Sequence, residues 1–545
     1  MNDAPNTRPQ LRTRLQRALI SSLISPAELS LVIGSALLTI LAFPDFDLWF
    51  LAWVSLVPLL IVVARTASAK KAFFAGWVWG TIFFYGTCWW LTYPMIHYAE
   101  FRAPLAYALL LLPIIFVALF PALACAVLCH LIRQVRPIAI LLAPFLWVSC
   151  EWLRYEVTGQ VWNALGYSQA FHPSMIQSAR WGGVYLVGFA ILLVNTAVAF
   201  LLIRRQILVP VLCVVLSAML LAMPSLSRFS TDRRIPYPEI QRPPNPAPAL
   251  ALIAVQPNVP IALNGDDGEM TSLLDRHLRL TSPAAQTLKT SPSLDNSPKL
   301  VVWPESPMNF SYSRDPHLRQ VIGDFTSANN ISLLLNSLEP AKGGGDQNSA
   351  ILVNEKGEMS ARYDKIRLMP FGEYVPLPRW LPGASSVRGI VGEFTPGNSY
   401  TLMPLGALRV GVFICIEAAH PAIARSFTNA GADVLINITN DGYLGQTPVM
   451  RQHLANAVFR AVENDRDLVR VTNTGITAFI SSTGDIFDQT TGFHEDVRTW
   501  TINRSGGELT LYSRYGDAFV YGCVLISLGF ISASFIKRRV SAART

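Results

Sequence analysis

A chain of 545 residues that is 51% hydrophobic and only 15% charged is too apolar for a purely soluble protein. Its net charge of +8 comes from basic residues scattered beside apolar runs, not gathered on one soluble face, which sets aside nucleic-acid binding and assigns most of the charge to membrane topology.

The polar head, residues 1–25, carries Arg8, Arg12, Arg14 and Arg17 and reads as a cytoplasmic segment leading into a permanent signal-anchor. Crossing a bilayer takes about 17 to 25 apolar residues. Such runs predict seven spans at 26–44, 47–65, 73–93, 104–132, 137–153, 183–203 and 206–223, a membrane domain over 26–223, and an eighth span at 517–536. Arg65, Lys70 and Lys71 follow the second run, Arg133 and Arg136 the fourth, Arg204 and Arg205 the sixth. Lys537, Arg538, Arg539 and Arg544 lie in the tail at 537–545. The alternate loops carry only Arg102, Arg154 and Arg180, so the positive-inside rule puts both termini in the cytoplasm and 224–516 outside.

A proline-rich linker is predicted over 224–249, containing Arg242-Pro243-Pro244-Asn245-Pro246, and a surface loop over 282–299. Residues 250–516 alternate short apolar runs with helical patterns. Strands are predicted at 250–259, 300–304, 331–337, 349–354, 409–415, 434–439, 468–472 and 477–481, and helices near 268–284, 315–329, 418–430 and 448–464. This is an α/β domain whose sheet topology the pattern leaves open.

Six cysteines, Cys88, Cys125, Cys129, Cys150, Cys213 and Cys523, lie in or beside apolar runs and read as small hydrophobes, with no metal-type spacing. Cys415 stands alone in the exported segment, where it can form no disulfide within its own domain. It ends a β-rich run and is followed at once by Glu417 and a helical stretch, the way a strand-to-helix turn presents a nucleophile. Glu305 follows a predicted strand in Trp303-Pro304-Glu305, and Lys365 follows a hairpin turning at 355–358. Taken singly these are ordinary surface charges. Together, a carboxylate can take the thiol's proton while an ammonium stabilises thiolate and oxyanion. His420 and His453 read as structural histidines.

Trp303-Pro304-Glu305, Tyr363-Asp364-Lys365 with Pro370-Phe371-Gly372-Glu373, and Cys415-Ile416-Glu417 resemble the Glu-Lys-Cys motifs of the nitrilase superfamily. The membrane runs on both sides make the chain similar to the bacterial apolipoprotein N-acyltransferase family. Shorter pieces extend the likeness over nearly the whole chain, among them Gln256-Pro257-Asn258, Asn348-Ser349-Ala350, Asn440-Asp441, Gln452-His453 and Thr472-Asn473. Ile416 and Asp441-Gly442-Tyr443-Leu444 depart from the family pattern.

The resemblance implies a polytopic α-helical membrane domain carrying an α/β nitrilase-like four-layer αββα sandwich. It implies Glu305 as general base, Lys365 as oxyanion-stabilising acid, Cys415 as nucleophile, Glu373 orienting Lys365 and Glu417 in support. By its own composition the proline-rich arm at 374–382 reads either as an interfacial lid carrying Trp380 or as an ordinary packed surface loop, and Asn348 and Tyr443 are expected as substrate contacts. The implied reaction moves a fatty acyl chain from a phospholipid to Cys415 and on to the α-amine of a diacylglyceryl-cysteine in an apolipoprotein. It needs no cofactor or metal, takes place at the bacterial inner membrane with the catalytic domain in the periplasm, and demands no more than a monomer. A membrane-tethered amidase or nitrilase acting on a small exported substrate, and an inactive membrane scaffold, are the other readings the sequence leaves open.

Overall fold

The computed structural model describes residues 24–66, 68–135, 137–230, 250–260, 267–294, 296–305, 310–375, 393–502 and 508–542. The chain falls into two compact units, one of residues 1–168, 185–220 and 519–545, the other of 169–184 and 221–518.

The first unit is helical. Its opening helix, Pro26–Leu41, begins with a capping box: Glu28 N–H donates to the Ser25 hydroxyl at 3.3 Å and Ser25 N–H to the Glu28 carboxylate at 2.8 Å. Proline at the first helical position loses no bond, because that N–H has no partner inside a helix. Ala103–Val135, Ile138–Thr158, Ala179–Arg204 and Ala518–Lys537 are long and apolar enough to cross a membrane. Pro26–Leu41, Trp49–Arg65 and Leu208–Ala222 are shorter apolar helices, and Ala69–Cys88 occupies the place of the third expected span. Thus, among the described residues, four segments meet the length and hydropathy expected of eight. The predicted span 104–132 is two helices, Ala103–Val117 and Leu119–Val135. The break falls there because Pro121 has no N–H to offer the Val117 carbonyl.

Close packing in this unit depends on small residues. A Cβ added at Gly76 or Gly80, one turn apart, would collide with Ala118, Pro121 or Ala122. Glycine therefore lets Ala69–Cys88 approach Leu119–Val135 at backbone distance, a packing mode that suits an environment where burial of apolar surface gives helices no reason to associate. Asn195 joins other segments by accepting from Leu56 N–H at 2.8 Å and donating to the Ala52 carbonyl at 2.9 Å. Such bonds matter where water is absent.

The second unit holds two six-stranded sheets. The first runs β12-β1-β2-β3-β4-β5 and contains β1 (Leu250–Gln256), β2 (Lys299–Val302), β3 (Ser332–Pro340), β4 (Asp346–Val353), β5 (Met359–Asp364) and β12 (Asp496–Ile502). The second runs β11-β10-β9-β8-β7-β6, from β6 (Leu402–Leu405), β7 (Leu408–Ile414), β8 (Val434–Thr439), β9 (Leu468–Thr472), β10 (Ala478–Ile480) and β11 (Ile486–Phe487). In each, the central pairs are parallel and the edges antiparallel.

Every residue of β1 is buried, which explains its unbroken apolar run. Ala251, Ile253 and Val255 pack in one core with Leu273, Leu274 and Leu288 of α1 (Asp267–Lys289) and with Leu318 and Ile322 of α2 (Pro316–Asn329). Gln256, on the other face of the strand, accepts from the hydroxyls of Thr472, Thr477 and Thr490 at 3.1, 2.8 and 2.7 Å, so that face looks onto the second sheet. α3 (Pro421–Asn429) and α4 (Val449–Asn464) cover the far side of the second sheet. The layers are αββα.

Three boundaries differ from expectation. α1 continues through Pro283 to Lys289, so the first part of the predicted loop 282–299 is helical: Ala285 and Leu288 extend the buried stripe, and packing overrides the local turn signal. The helix Leu208–Ser230 takes the first residues of the predicted linker, the rest of which lies outside the described residues. Residues 169–184, inside the predicted membrane domain, belong to the second unit. There Arg180 pairs with Asp465 at 2.6 Å and donates to the Ser482 carbonyl at 2.6 Å.

Candidate active site

β7 delivers Cys415 at its C-terminal end, where a 3-10 turn, Cys415–Ala419, begins. Cys415 has φ of +53°, a left-handed conformation costing a non-glycine residue of order 1–3 kcal/mol and kept only where the surroundings over-determine it. The sharp turn lifts the thiol off the sheet, and Cys415 is partly exposed while its neighbours are buried.

Glu305 leaves β2 after Trp303, whose N–H still donates to the Leu334 carbonyl at 2.9 Å and whose indole donates to Thr281 at 3.0 Å. Lys365 leaves β5, tied by its N–H to the Asn348 carbonyl at 2.8 Å and by its carbonyl to Gly397 N–H at 2.8 Å. Glu373 sits in the following turn. The Lys365 ammonium donates to Glu373 Oε1 at 2.9 Å and to Glu305 Oε1 at 3.2 Å. All three residues are buried.

Asn348 completes this arrangement. Its amide donates to Glu305 Oε1 at 2.9 Å and to Glu373 Oε1 at 2.7 Å, while its own oxygen accepts from Asn336 at 2.7 Å. The amide expected to meet substrate is thus engaged between the two carboxylates. The remaining oxygens accept from backbone: Glu305 Oε2 from Asn440 N–H at 3.1 Å and Glu373 Oε2 from Met369 N–H at 2.7 Å.

Burial opposes the charge on Lys365, but Glu305 and Glu373 outweigh it and hold the ammonium well above the ordinary lysine range. Although Cys415 is partly exposed, desolvation by the groups packed around its thiol, then the charge of Glu305, pushes it up; Lys365 and a hydrogen bond with Thr439 pull it back only in part. At rest the sulfur keeps its proton, so attack requires a base at hand.

Glu417 does not touch this group. Its carboxylate accepts from Tyr363 Oη at 2.9 and 3.0 Å, from Ile366 N–H at 2.8 Å, from Arg367 N–H at 3.0 Å and from Ile414 N–H at 2.8 Å. It therefore ties the loop after Lys365 to the residue before Cys415. Burial raises its pKa and the backbone donors lower it in part, leaving a net upward shift. Tyr443 is half-buried on the 3-10 turn Asp441–Leu444. Trp380 and most of its arm lie outside the described residues.

The sequence reading missed a second group behind the elbow. His453 Nε2 lies 3.0 Å from the Cys415 carbonyl oxygen and Nδ1 2.9 Å from Asp441 Oδ1, and Asp441 Oδ2 accepts from Arg470 at 2.7 Å. The signals Asn440-Asp441 and Gln452-His453 were visible in the sequence but carried no role.

Two facing sheets, with a cysteine on a left-handed elbow beside a buried lysine and two carboxylates, define a carbon-nitrogen hydrolase fold. The model of that name matches residues 281–510, and the apolipoprotein N-acyltransferase N-terminal domain matches residues 35–197. An apolipoprotein N-acyltransferase from Geobacter metallireducens is 33% identical, covering 93% of this chain and 95% of the relative. One from Allorhizobium ampelinum is 31% identical, covering 87% and 88%. An amidase structure from Nesterenkonia sp. is 16% identical, covering 51% of this chain and 95% of its own, with a TM-score of 0.36. The chain belongs to the apolipoprotein N-acyltransferase family.

Proposed function

We propose that the protein transfers a fatty acyl chain from a membrane phospholipid to the N-terminal α-amine of diacylglyceryl-cysteine in apolipoproteins, through a thioester on Cys415. The observation that carries the catalytic roles is the Lys365 ammonium, bonded to Glu373 and Glu305 and close enough to influence the Cys415 thiol. Whole-length relatives named as acyltransferases speak against the amidase and scaffold readings.

In the first half-reaction Glu305 takes the proton from Cys415 Sγ as sulfur attacks the phospholipid ester carbonyl. Lys365 stabilises the oxyanion. The tetrahedral adduct then breaks its bond to the glycerol oxygen, Glu305 returns the proton to that oxygen, and a lysophospholipid leaves. In the second, the amine attacks the thioester carbonyl, Glu305 receives a proton from the nitrogen, and the thiolate departs to be reprotonated. The thioester remains reactive toward amines, so two modest barriers replace one large one. Water must be kept from it, because hydrolysis would compete with the rarer amine. Glu373 orients Lys365, and Glu417 supports both arms.

Charge placement supports a multi-pass arrangement in the bacterial inner membrane with both termini cytoplasmic and a catalytic domain, 250–516, in the periplasm. The test uses purified full-length protein mixed with phospholipid and read by mass spectrometry of the Cys415 peptide. An acyl adduct should form, persist in water and discharge onto a diacylglyceryl-cysteine lipopeptide. An adduct in Cys415→Ala, or one lost rapidly without amine, would overturn this function.

A further inference from the structure

Behind the Cys415 elbow runs a chain of buried polar groups that the two-step chemistry does not call on. It begins at Arg470 on β9, which donates to Asn437 Oδ1 at 2.7 Å and to Asp441 Oδ2 at 2.7 Å. Asp441 Oδ1 faces His453 Nδ1 at 2.9 Å, and His453 Nε2 faces the carbonyl oxygen of Cys415 at 3.0 Å. Asn437 in turn donates to the Phe413 carbonyl at 3.2 Å. Arg470, Asp441, His453 and Asn437 are all buried.

The proton positions follow from the acceptors. A peptide carbonyl only accepts, so His453 Nε2 carries a proton. Burial alone would raise the Asp441 pKa, but Arg470 and His453 hold it down to about 2, so its carboxylate is also an acceptor and Nδ1 carries a proton too. Burial and Arg470 oppose charge on this imidazole more strongly than Asp441 and the Cys415 carbonyl favour it, a net downward shift. Against that shift stands the geometry, an acceptor at each ring nitrogen, which only the two-proton form satisfies at both ends.

The bond falls on the residue with φ of +53°. A left-handed cysteine relaxes toward ordinary backbone unless neighbours pin it on both sides. On its N-terminal side Ile414 N–H is fixed by Glu417. On its C-terminal side the carbonyl meets His453 at 3.0 Å, with the Asn437 amide as a longer second donor at 3.5 Å.

We propose that His453 is a positioning residue for acyl transfer. By donating to the Cys415 carbonyl it holds the nucleophile on its elbow, and Asp441, anchored by Arg470, orients the imidazole that does so. The inference rests on Cys415 being the acylated residue.

The experiment compares wild type, His453→Ala, His453→Gln and the double variant Asp441→Asn/His453→Gln, each as full-length protein in detergent with phospholipid. The readouts are the first-order rate of Cys415 acylation at saturating lipid, the half-saturating lipid concentration and the melting midpoint. His453→Ala should lower the maximal rate by about tenfold or more and leave the half-saturating concentration unchanged, because displacing a reacting atom by about 1 Å can cost on the order of a hundredfold. His453→Gln should also be slow, since an amide cannot donate to both neighbours. The double variant should recover most of the rate. There the introduced asparagine accepts from Arg470 and donates to the glutamine oxygen, leaving the glutamine N–H for the Cys415 carbonyl.

A folded His453→Ala with wild-type acylation overturns the proposal. So does a folded double variant no faster than His453→Gln, a comparison that decides the matter even where His453→Ala does not fold. Absence of any Cys415 adduct in the wild type is a different outcome: it removes the thioester itself, before His453 comes into question.

Discussion

Glu417→Gln removes one acceptor oxygen and leaves the shape of the site unchanged. Every group aimed at the native carboxylate can act as a donor: one hydroxyl and three backbone N–H groups. A glutamine placed with its oxygen toward Ile366 and Arg367 turns its NH2 toward Ile414 N–H. Tyr363 can rotate its hydroxyl to accept, but the peptide nitrogen of Ile414 cannot. A buried backbone donor without a partner costs about 1–3 kcal/mol. Because Ile414 immediately precedes Cys415, we expect this cost to appear as displacement of the elbow, a loss of roughly 5- to 150-fold in acylation rate. Tyr363→Phe, which leaves the three backbone bonds intact, should cost only about 0.5–1.5 kcal/mol. The assay is the time course of the Cys415 adduct by mass spectrometry, alongside the melting midpoint in detergent. If Glu417→Gln acylated at the wild-type rate, Glu417 would not be coupling the two arms of the site.

Gly397→Ala should impair activity without removing any hydrogen-bonding group, because the space its Cβ needs is filled by the Asp364 carbonyl, one residue before Lys365. Overpacking of this kind costs about 1–3 kcal/mol, and adduct formation with Gly397→Ala tests whether the shift reaches the ammonium. Acid should destabilise the second unit through two histidines. Burial lowers His277 to about 4 and His420 to about 3, so both are held neutral while the unfolded chain takes up protons near pH 6.5. Their contribution is fully present above about pH 6.5 and is lost as pH falls toward 4 and then 3, giving a melting midpoint that declines over that window. His277→Gln/His420→Gln should flatten the decline, and an unchanged slope would contradict the assignment.

How much was legible in the sequence depended on whether the signal was local. β1 announced itself because a strand buried on both faces is a continuous apolar run, and β8 and β9 keep that pattern apart from Asn437 and Arg470. β12 did not: it is an edge strand with exposed Thr499 and Thr501 and with Asp496 and Arg498 in its ladder to β1. β6 carries Pro404, which argues against a strand except at an edge, where it lies. The same division holds in the site. Glu305, Lys365 and Cys415 each follow a recognisable strand end. Asn348 could be assigned only once register was known, since pairing of Asn336 with Ala350 brings Asn336 diagonally beside Asn348. His453 was read as a structural histidine because a helix face does not reveal that it points at another element's backbone.

The break at Gly182 and Gly183, inside the helix Ala179–Arg204, marks where the chain passes from one compact unit to the other. Arg180 lies before that break, and the Ser482 carbonyl it binds is 302 residues further along. During synthesis this arginine must wait for a partner that has not yet been made, so the second unit can close only near the end of translation. A clone beginning at the first β-strand would lack the strap altogether. The second unit is therefore compact in space without being one uninterrupted stretch of gene.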